Sequence, residues 1–228
     1  MMEIIEKCLG RRCLMSDNNL VLNRFSTQYV FNDLVMNYKN NTYCTVVRRY
    51  LKNENDCSNG EIIGKIYKYM SRNYRNEYFY QNTMFNKLLL GRHSLNTTTA
   101  LTQIPIGKSK ADFVMINGKA VVYEIKTELD SFERLDNQLN DYFKAFDHVC
   151  VVTCESNYEK LNKILEGRSV GICILSDRNT LRFVKEPIEN NVNLSYEALF
   201  KVLHKKEFEE ILLDFYGELP IDFKIFDI

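Results

Sequence analysis

From Thr27 to Leu90 the apolar positions recur at helical spacing, and after the polar loop 93–99 the period drops from about 3.6 to two. The first part predicts helices over 28–38, 42–51, 60–71 and 73–90. The third opens on the capping box of Ser58 and Glu61, and the fourth stops at Gly91 as a C-terminal cap. Residues 1–25 show no clear period and read as a peripheral helix or arm. Period two then predicts strands over 101–106, 111–116 and 119–127, joined by turns at Gly107-Lys108-Ser109 and Asn117-Gly118. A helix over 131–146 follows, with Asp130 and Glu133 placed as a capping box and Phe132, Leu135, Leu139, Phe143 and Phe146 on one face. Next come a strand over 148–153, a helix over 156–166 behind Ser156 and Glu159, and strands over 170–175 and 181–185. A long closing helix is capped by Ser195 and runs to about Tyr216. The order describes an α/β fold with a mixed central sheet, preceded by a helical N-terminal region, with residues 1–71 helical and 72–228 forming the α/β domain.

Composition narrows the class. A chain of 228 residues, 45% hydrophobic and 26% charged, can hold a real core. No stretch approaches the roughly 18–20 uninterrupted apolar residues of a spanning helix, so no membrane partner is expected. Glu3, Glu6, Lys7, Arg11 and Arg12 break up the N-terminus and leave no signal-peptide core, which reads as cytoplasmic. The seven cysteines are odd in number, scattered and without a C-x-x-C pair, the pattern of reduced thiols; with only three histidines, a Cys/His zinc site is not expected. The net charge is zero but unevenly placed. Residues 1–110 hold 16 Lys and Arg against 8 Asp and Glu, and the remainder is acidic by the same margin. Arg48, Arg49, Lys52, Lys65, Lys68, Arg72 and Arg75, interleaved with Tyr50, Tyr67, Tyr69 and Tyr74, suit either a nucleic-acid-binding helical cap or a solvated face.

Charged residues are costly in the middle of a sheet, so Asp112, Glu124 and Lys126 stand out within Ala111-Asp112-Phe113-Val114-Met115-Ile116 and Val121-Val122-Tyr123-Glu124-Ile125-Lys126. Two carboxylates with a lysine two residues on suit phosphodiester cleavage. The carboxylates hold Mg²⁺, the metal activates water, and the ammonium orients that water or takes up transition-state charge. Glu124 and Lys126 share a strand face by parity. Asp112 joins them only if the hairpin closes through a three-residue loop with a left-handed Gly118, which sets Asp112 opposite Val122 and gathers Phe113, Met115, Val121, Tyr123 and Ile125 on the other face.

Ala111-Asp112, eleven intervening residues and Glu124-Ile125-Lys126 resemble the PD-(D/E)XK phosphodiesterases, the restriction-endonuclease-like superfamily, with alanine where the motif writes proline. Gln138 and Tyr142, in Gln-Leu-Asn-Asp-Tyr, resemble the Q-x-x-x-Y helix of its RecB-like branch, and the run from Tyr123 to Asp130 is similar to an uncharacterised bacterial group near mobile elements and defence loci. The resemblance implies a restriction-endonuclease-like α/β/α core and a Mg²⁺- or Mn²⁺-dependent nuclease acting on nucleic acid, foremost DNA, in phage defence or mobile-element biology; a homodimer is left open. It implies Asp112, Glu124, Lys126 and Gln138 as the catalytic set. Glu77, Asp112, Glu124 and Ile125 would serve as the metal set, and Lys110, Arg134 and Tyr142 would meet nucleic acid. Glu77 heads a line with Met84 and Leu88 at helical offsets, though an ordinary surface glutamate fits equally. The alternative is an inactive nuclease-fold protein that binds nucleic acid or another protein. No Walker A, G-x-G-x-x-G, H-E-x-x-H or G-x-S-x-G motif competes.

Overall fold

A computed structural model describes residues 15–37, 40–51, 57–92, 96–217 and 219. Residues 1–14 of the segment read as a helix or arm over 1–25, with Cys8 and Cys13, and also Lys52 and residues 93–95 of the polar loop, lie outside these. The chain divides into two compact units, Met1–Thr83 with Asp177–Asn179, and Met84–Ser176 with Thr180–Ile228. The division falls between Thr83 and Met84, where the sequence pattern placed it at 71/72.

The first unit is built from α1 (Met15–Phe25), α2 (Gln28–Asn37), α3 (Asn41–Tyr50), α4 (Asn59–Asn73) and most of α5 (Glu77–Met84). Leu22, Phe25, Val30, Leu34, Tyr43, Val46, Ile62, Ile66 and Met70 form its core. Asn40 caps α3 by accepting from the amides of Thr42 and Tyr43, and the Ser58–Glu61 capping box opens α4 as the sequence implied. The helix expected over 73–90 instead begins at Glu77, behind Asn76, whose side chain accepts from the Phe79 amide. Gly91 does not end it. A π-helical turn, Phe85–Leu89, carries the chain on into Leu90–Arg92, with Gly91 inside.

The second unit is a six-stranded sheet in sequential order: β1 (Thr99–Ile106), β2 (Ser109–Asn117), β3 (Lys119–Lys126), β4 (His148–Thr153), β5 (Gly171–Leu175) and β6 (Leu181–Lys185). β3, β4 and β5 run parallel; the other neighbours are antiparallel. Two parallel steps demand crossovers, and α6 (Leu135–Tyr142) and α7 (Tyr158–Ile164) supply them. The fold is therefore α/β with a mixed central sheet, preceded in sequence by a helical N-terminal region. β4 and β5 are buried throughout, as central strands of a covered sheet must be. One face of the sheet, with Val114, Val122, Val149, Val151 and Ile172, packs on Leu135, Leu139, Tyr142 and Phe143 of the α6 region and on Leu161 of α7.

Two expected caps are replaced. Asp130 turns back to accept from the amide and hydroxyl of Thr127, so α6 begins at Leu135 with no side-chain cap. Ser156 contacts Cys154 Sγ instead of capping, and a 3₁₀ turn, Glu155–Asn157, precedes α7. The closing helix is two: Ser195 caps α8 (Tyr196–Val202) as expected, an extended Leu203 interrupts it, and Glu207, accepting from the His204 amide at 2.8 Å, steadies the start of α9 (Lys205–Tyr216). Among the described residues no helix is long and apolar enough to cross a membrane, and Cys44, Cys57, Cys150, Cys154 and Cys173 are in no disulfide.

Candidate functional site

The β2–β3 hairpin turns about Gly118, which takes the left-handed conformation (φ 70°), and pairs Asn117 with Lys119 through to Phe113 with Tyr123. The left-handed glycine and the shared face of Asp112 and Glu124 are as the sequence argument required, but the register is two residues longer. Position 112 lies level with Glu124 instead of Val122.

Asp112 sits where both of its ladders fail. The β2–β3 pairing stops at Phe113, and the β1–β2 pairing passes from Thr102/Phe113 to Ile104/Ala111 without pairing Gln103 and Asp112. The carboxylate fills the gap: Asp112 Oδ2 accepts from the Ile125 amide at 2.8 Å, in place of a backbone carbonyl. Such a substitution leaves the buried N–H satisfied while it opens the strands. Asp112 remains half-buried at the wall of a cleft.

Glu124 and Lys126 are almost wholly buried, at 1% and 5% exposure. An ion pair at such depth survives only with its hydrogen-bonding capacity filled. Lys126 Nζ donates to Glu124 Oε1 at 2.7 Å and to Gln138 Oε1 at 2.9 Å, and Gln138 Nε2 donates to the same Glu124 oxygen at 2.6 Å. The Gln138 amide can take this place in one orientation alone, oxygen to ammonium and nitrogen to carboxylate. Tyr142, one turn further along α6, lies with its hydroxyl 2.5 Å from Glu124 Oε2 and 2.9 Å from the Lys110 carbonyl, and its one proton goes to one of them at a time. Burial first, and then the Glu124 charge, push the tyrosine pKa well above its ordinary value. Beyond Lys126 the strand end is fastened too: Thr153 Oγ1 donates to the Lys126 carbonyl and Asn157 Nδ2 to that of Thr127.

The structure thus gathers Asp112, Glu124, Lys126 and Gln138 around the β2–β3 edge, with Arg134 and Lys110 exposed on the same cleft. Tyr142 is a correction. It has no exposed surface, so it holds Glu124 and does not meet a nucleic-acid strand. Glu77 belongs to the helical unit, where Gln81 Nε2 donates to its carboxylate at 2.8 Å. Ile125 buries its side chain and commits its amide to Asp112, leaving its carbonyl as the one metal-ligating group it could offer. Among the described residues no group of three or more His, Cys, Asp and Glu could hold a metal. A cation here would therefore rest on two carboxylates, a main-chain oxygen and water. That is an all-oxygen set of the kind Mg²⁺ and Mn²⁺ take. Glu124 has one of its roughly four lone-pair positions left for it, on Oε2, after three donors are counted.

The cleft, about 760 Å³, is lined by Gln103, Lys108, Lys110, Asp112, Arg134 and Gln138, with Asn137, Asn140, Asp141 and Lys144 along its α6 side. Asp141, which sequence reasoning passed over, ties its walls together. Its carboxylate accepts from Lys108 N, Ser109 Oγ and Lys144 Nζ at 3.1, 2.8 and 2.8 Å. Burial opposes its charge, yet Lys144 and Ser109, with the Lys108 amide, outweigh burial and hold its carboxyl below the usual range. Gly107 (φ 60°) permits the contact, since a Cβ there would lie 2.9 Å from Asp141 Oδ1. The sequence signal was the Gly-Lys-Ser turn, read as a turn alone.

The family model of bacteriophage P4 protein cII matches residues 70–223, more than half of the chain, and the chain belongs to that family. No curated protein and no solved structure matches it.

Proposed function

We propose that this member of the bacteriophage P4 protein cII family is a metal-dependent nuclease of the PD-(D/E)XK kind, hydrolysing phosphodiester bonds of DNA in the life of a mobile element. The observation that carries the reading is the burial of Glu124 and Lys126 as a hydrogen-bonded pair beside Asp112 at a deliberate gap in the sheet. A buried ion pair is a poor way to stabilise a sheet, and charge is placed there at a cost that chemistry offsets. A Mg²⁺ or Mn²⁺ ion on Asp112, Glu124 and the Ile125 carbonyl would activate water and take charge from the phosphate. Lys126 would orient that water, while Gln138 and Tyr142 fix the geometry of Glu124. Lys108, Lys110, Arg134 and Lys144 along the cleft suit backbone phosphates, and the exposed Arg48, Arg49, Lys65, Lys68 and Arg72 of the helical unit suit further strand contacts.

The three protein donors already on Glu124 favour a second reading, an inactive nuclease fold that binds nucleic acid or protein without cleaving. One assay separates the two. Plasmid, linear duplex and single-stranded DNA are incubated with the protein in Mg²⁺ and in Mn²⁺, beside the Glu124→Gln variant. Cleavage by the wild type and none by the variant supports the nuclease; intact substrates under every condition sink it.

A further inference from the structure

Gln103 is one of two residues other than glycine with positive φ among the described residues, at 59°, and it lies in the middle of β1. A side chain disfavours that conformation, and strands have no use for it, so it persists where the surroundings impose it. No change of register accompanies it: Thr102 with Phe113 and Ile104 with Ala111 keep one pairing frame, and Gln103 alone steps out of the ladder, level with Asp112. The excursion leaves its side chain exposed in the cleft that also holds Asp112, Arg134 and Gln138. Glycine would adopt this backbone without strain. The chain instead carries a residue with a carboxamide, both donor and acceptor, opposite the candidate metal-binding carboxylate.

From this coincidence we infer that Gln103 is a substrate-contacting residue, whose carboxamide meets the nucleotide flanking the bond cut at Asp112 and Glu124. The inference rests on the nuclease reading. Lys108, Lys110, Arg134 and Lys144 offer charge to phosphates without regard to sequence, whereas a carboxamide can pair with a base edge or a phosphate oxygen in a fixed direction. Asn137 and Asn140 line the same cleft from α6 and give it polar, uncharged groups beside the charged ones. Gln103 has the further quality of being set by main-chain geometry, so that its position is tied to that of Asp112 across the opened ladder.

Two variants test it, Gln103→Gly and Gln103→Glu, with fluorescently labelled single-stranded and duplex DNA of one sequence titrated in EDTA, and cleavage of the same DNA followed in Mn²⁺. Gln103→Gly is expected to keep or raise the thermal midpoint, because the backbone strain is relieved, while affinity for the DNA falls by roughly tenfold, the loss of one or two hydrogen bonds. Gln103→Glu, which sets a negative charge against the strand, is expected to fall further. Wild-type affinity in both variants would overturn the inference and leave the backbone excursion as a local irregularity. A wild type that binds DNA and never cuts refutes the catalytic reading, and the affinities of the two variants still decide the role of Gln103. A wild type that neither binds nor cuts overturns both.

Discussion

Replacing Lys126 by methionine keeps most of the unbranched side chain, one atom shorter, and removes its charge, which isolates the buried ion pair. Glu124 would then remain 1% exposed with two neutral donors, Gln138 Nε2 and the Tyr142 hydroxyl. Breaking one side of a buried pair costs about 3–5 kcal/mol, and the two surviving hydrogen bonds place Lys126→Met at the lower end. Glu124→Gln is milder. Its amide oxygen can keep the Lys126 and Gln138 bonds, and Tyr142 can turn its proton to the Lys110 carbonyl at 2.9 Å, so about 2–3 kcal/mol is expected, one charge-assisted bond. The double variant holds neither ion and should lose only about 2–3 kcal/mol, a favourable coupling of about 3 kcal/mol. Hydrogen exchange of the β3 and β4 amides in urea reads the opening of the sheet unit separately from the helices. Lys126→Met at wild-type stability, or a double variant that loses the sum of the two singles, would refute the claim that the pair is mutually sustained.

Other outcomes follow from the same contacts. Tyr142→Phe should cost about 1.5–3 kcal/mol at neutral pH, read by urea unfolding, since it removes a bond to a buried carboxylate. Because the tyrosine pKa is raised in the fold, the unfolded chain loses that proton first, and wild-type stability should drop above pH ~10 by about 1.4 kcal/mol per pH unit more than Tyr142→Phe; parallel pH profiles would contradict the burial argument. Gly107→Ala should destabilise by about 1–3 kcal/mol and weaken DNA binding together, as the Lys108–Lys110 turn is pushed off Asp141; an unchanged melting temperature would count against the close approach. Ser58→Ala should cost the helical unit about 1 kcal/mol, measured by thermal unfolding, through loss of its capping box.

What sequence reasoning could reach follows from how local the physics is. Period-two runs located β1 to β3 and short apolar runs β4 and β5, because alternation and burial are written into neighbouring residues, and parity put Glu124 and Lys126 on one face with no knowledge of the fold. Gln138 was reached only through the resemblance of its helix to a Q-x-x-x-Y motif. Caps were less legible. Asp130 and Glu133 have the spacing of a box, but Thr127 offers Asp130 two donors that leave it no reason to cap. Gly91 looked like a helix end because glycine usually is one, whereas the π-helical turn from Phe85 changes the frame before it. Tyr142 could be placed beside Gln138 by its four-residue offset but not turned inward, since its partner, Glu124, is 18 residues away. Gln103 and Asp141 gave almost no signal: a strained backbone and a carboxylate shared among three donors are properties of packing, and no pattern of residue types announces them.

The central claim is that Asp112 and Glu124 hold a divalent cation beside Lys126. Titration calorimetry with Mn²⁺ on the wild type and on Asp112→Asn tests it most directly, because asparagine can still accept from the Ile125 amide and so spares the strand junction. Saturable Mn²⁺ binding by the wild type, abolished or weakened at least tenfold in Asp112→Asn, is the expected result. A wild type that takes up no Mn²⁺, or an Asp112→Asn variant that binds it equally well, would contradict the account.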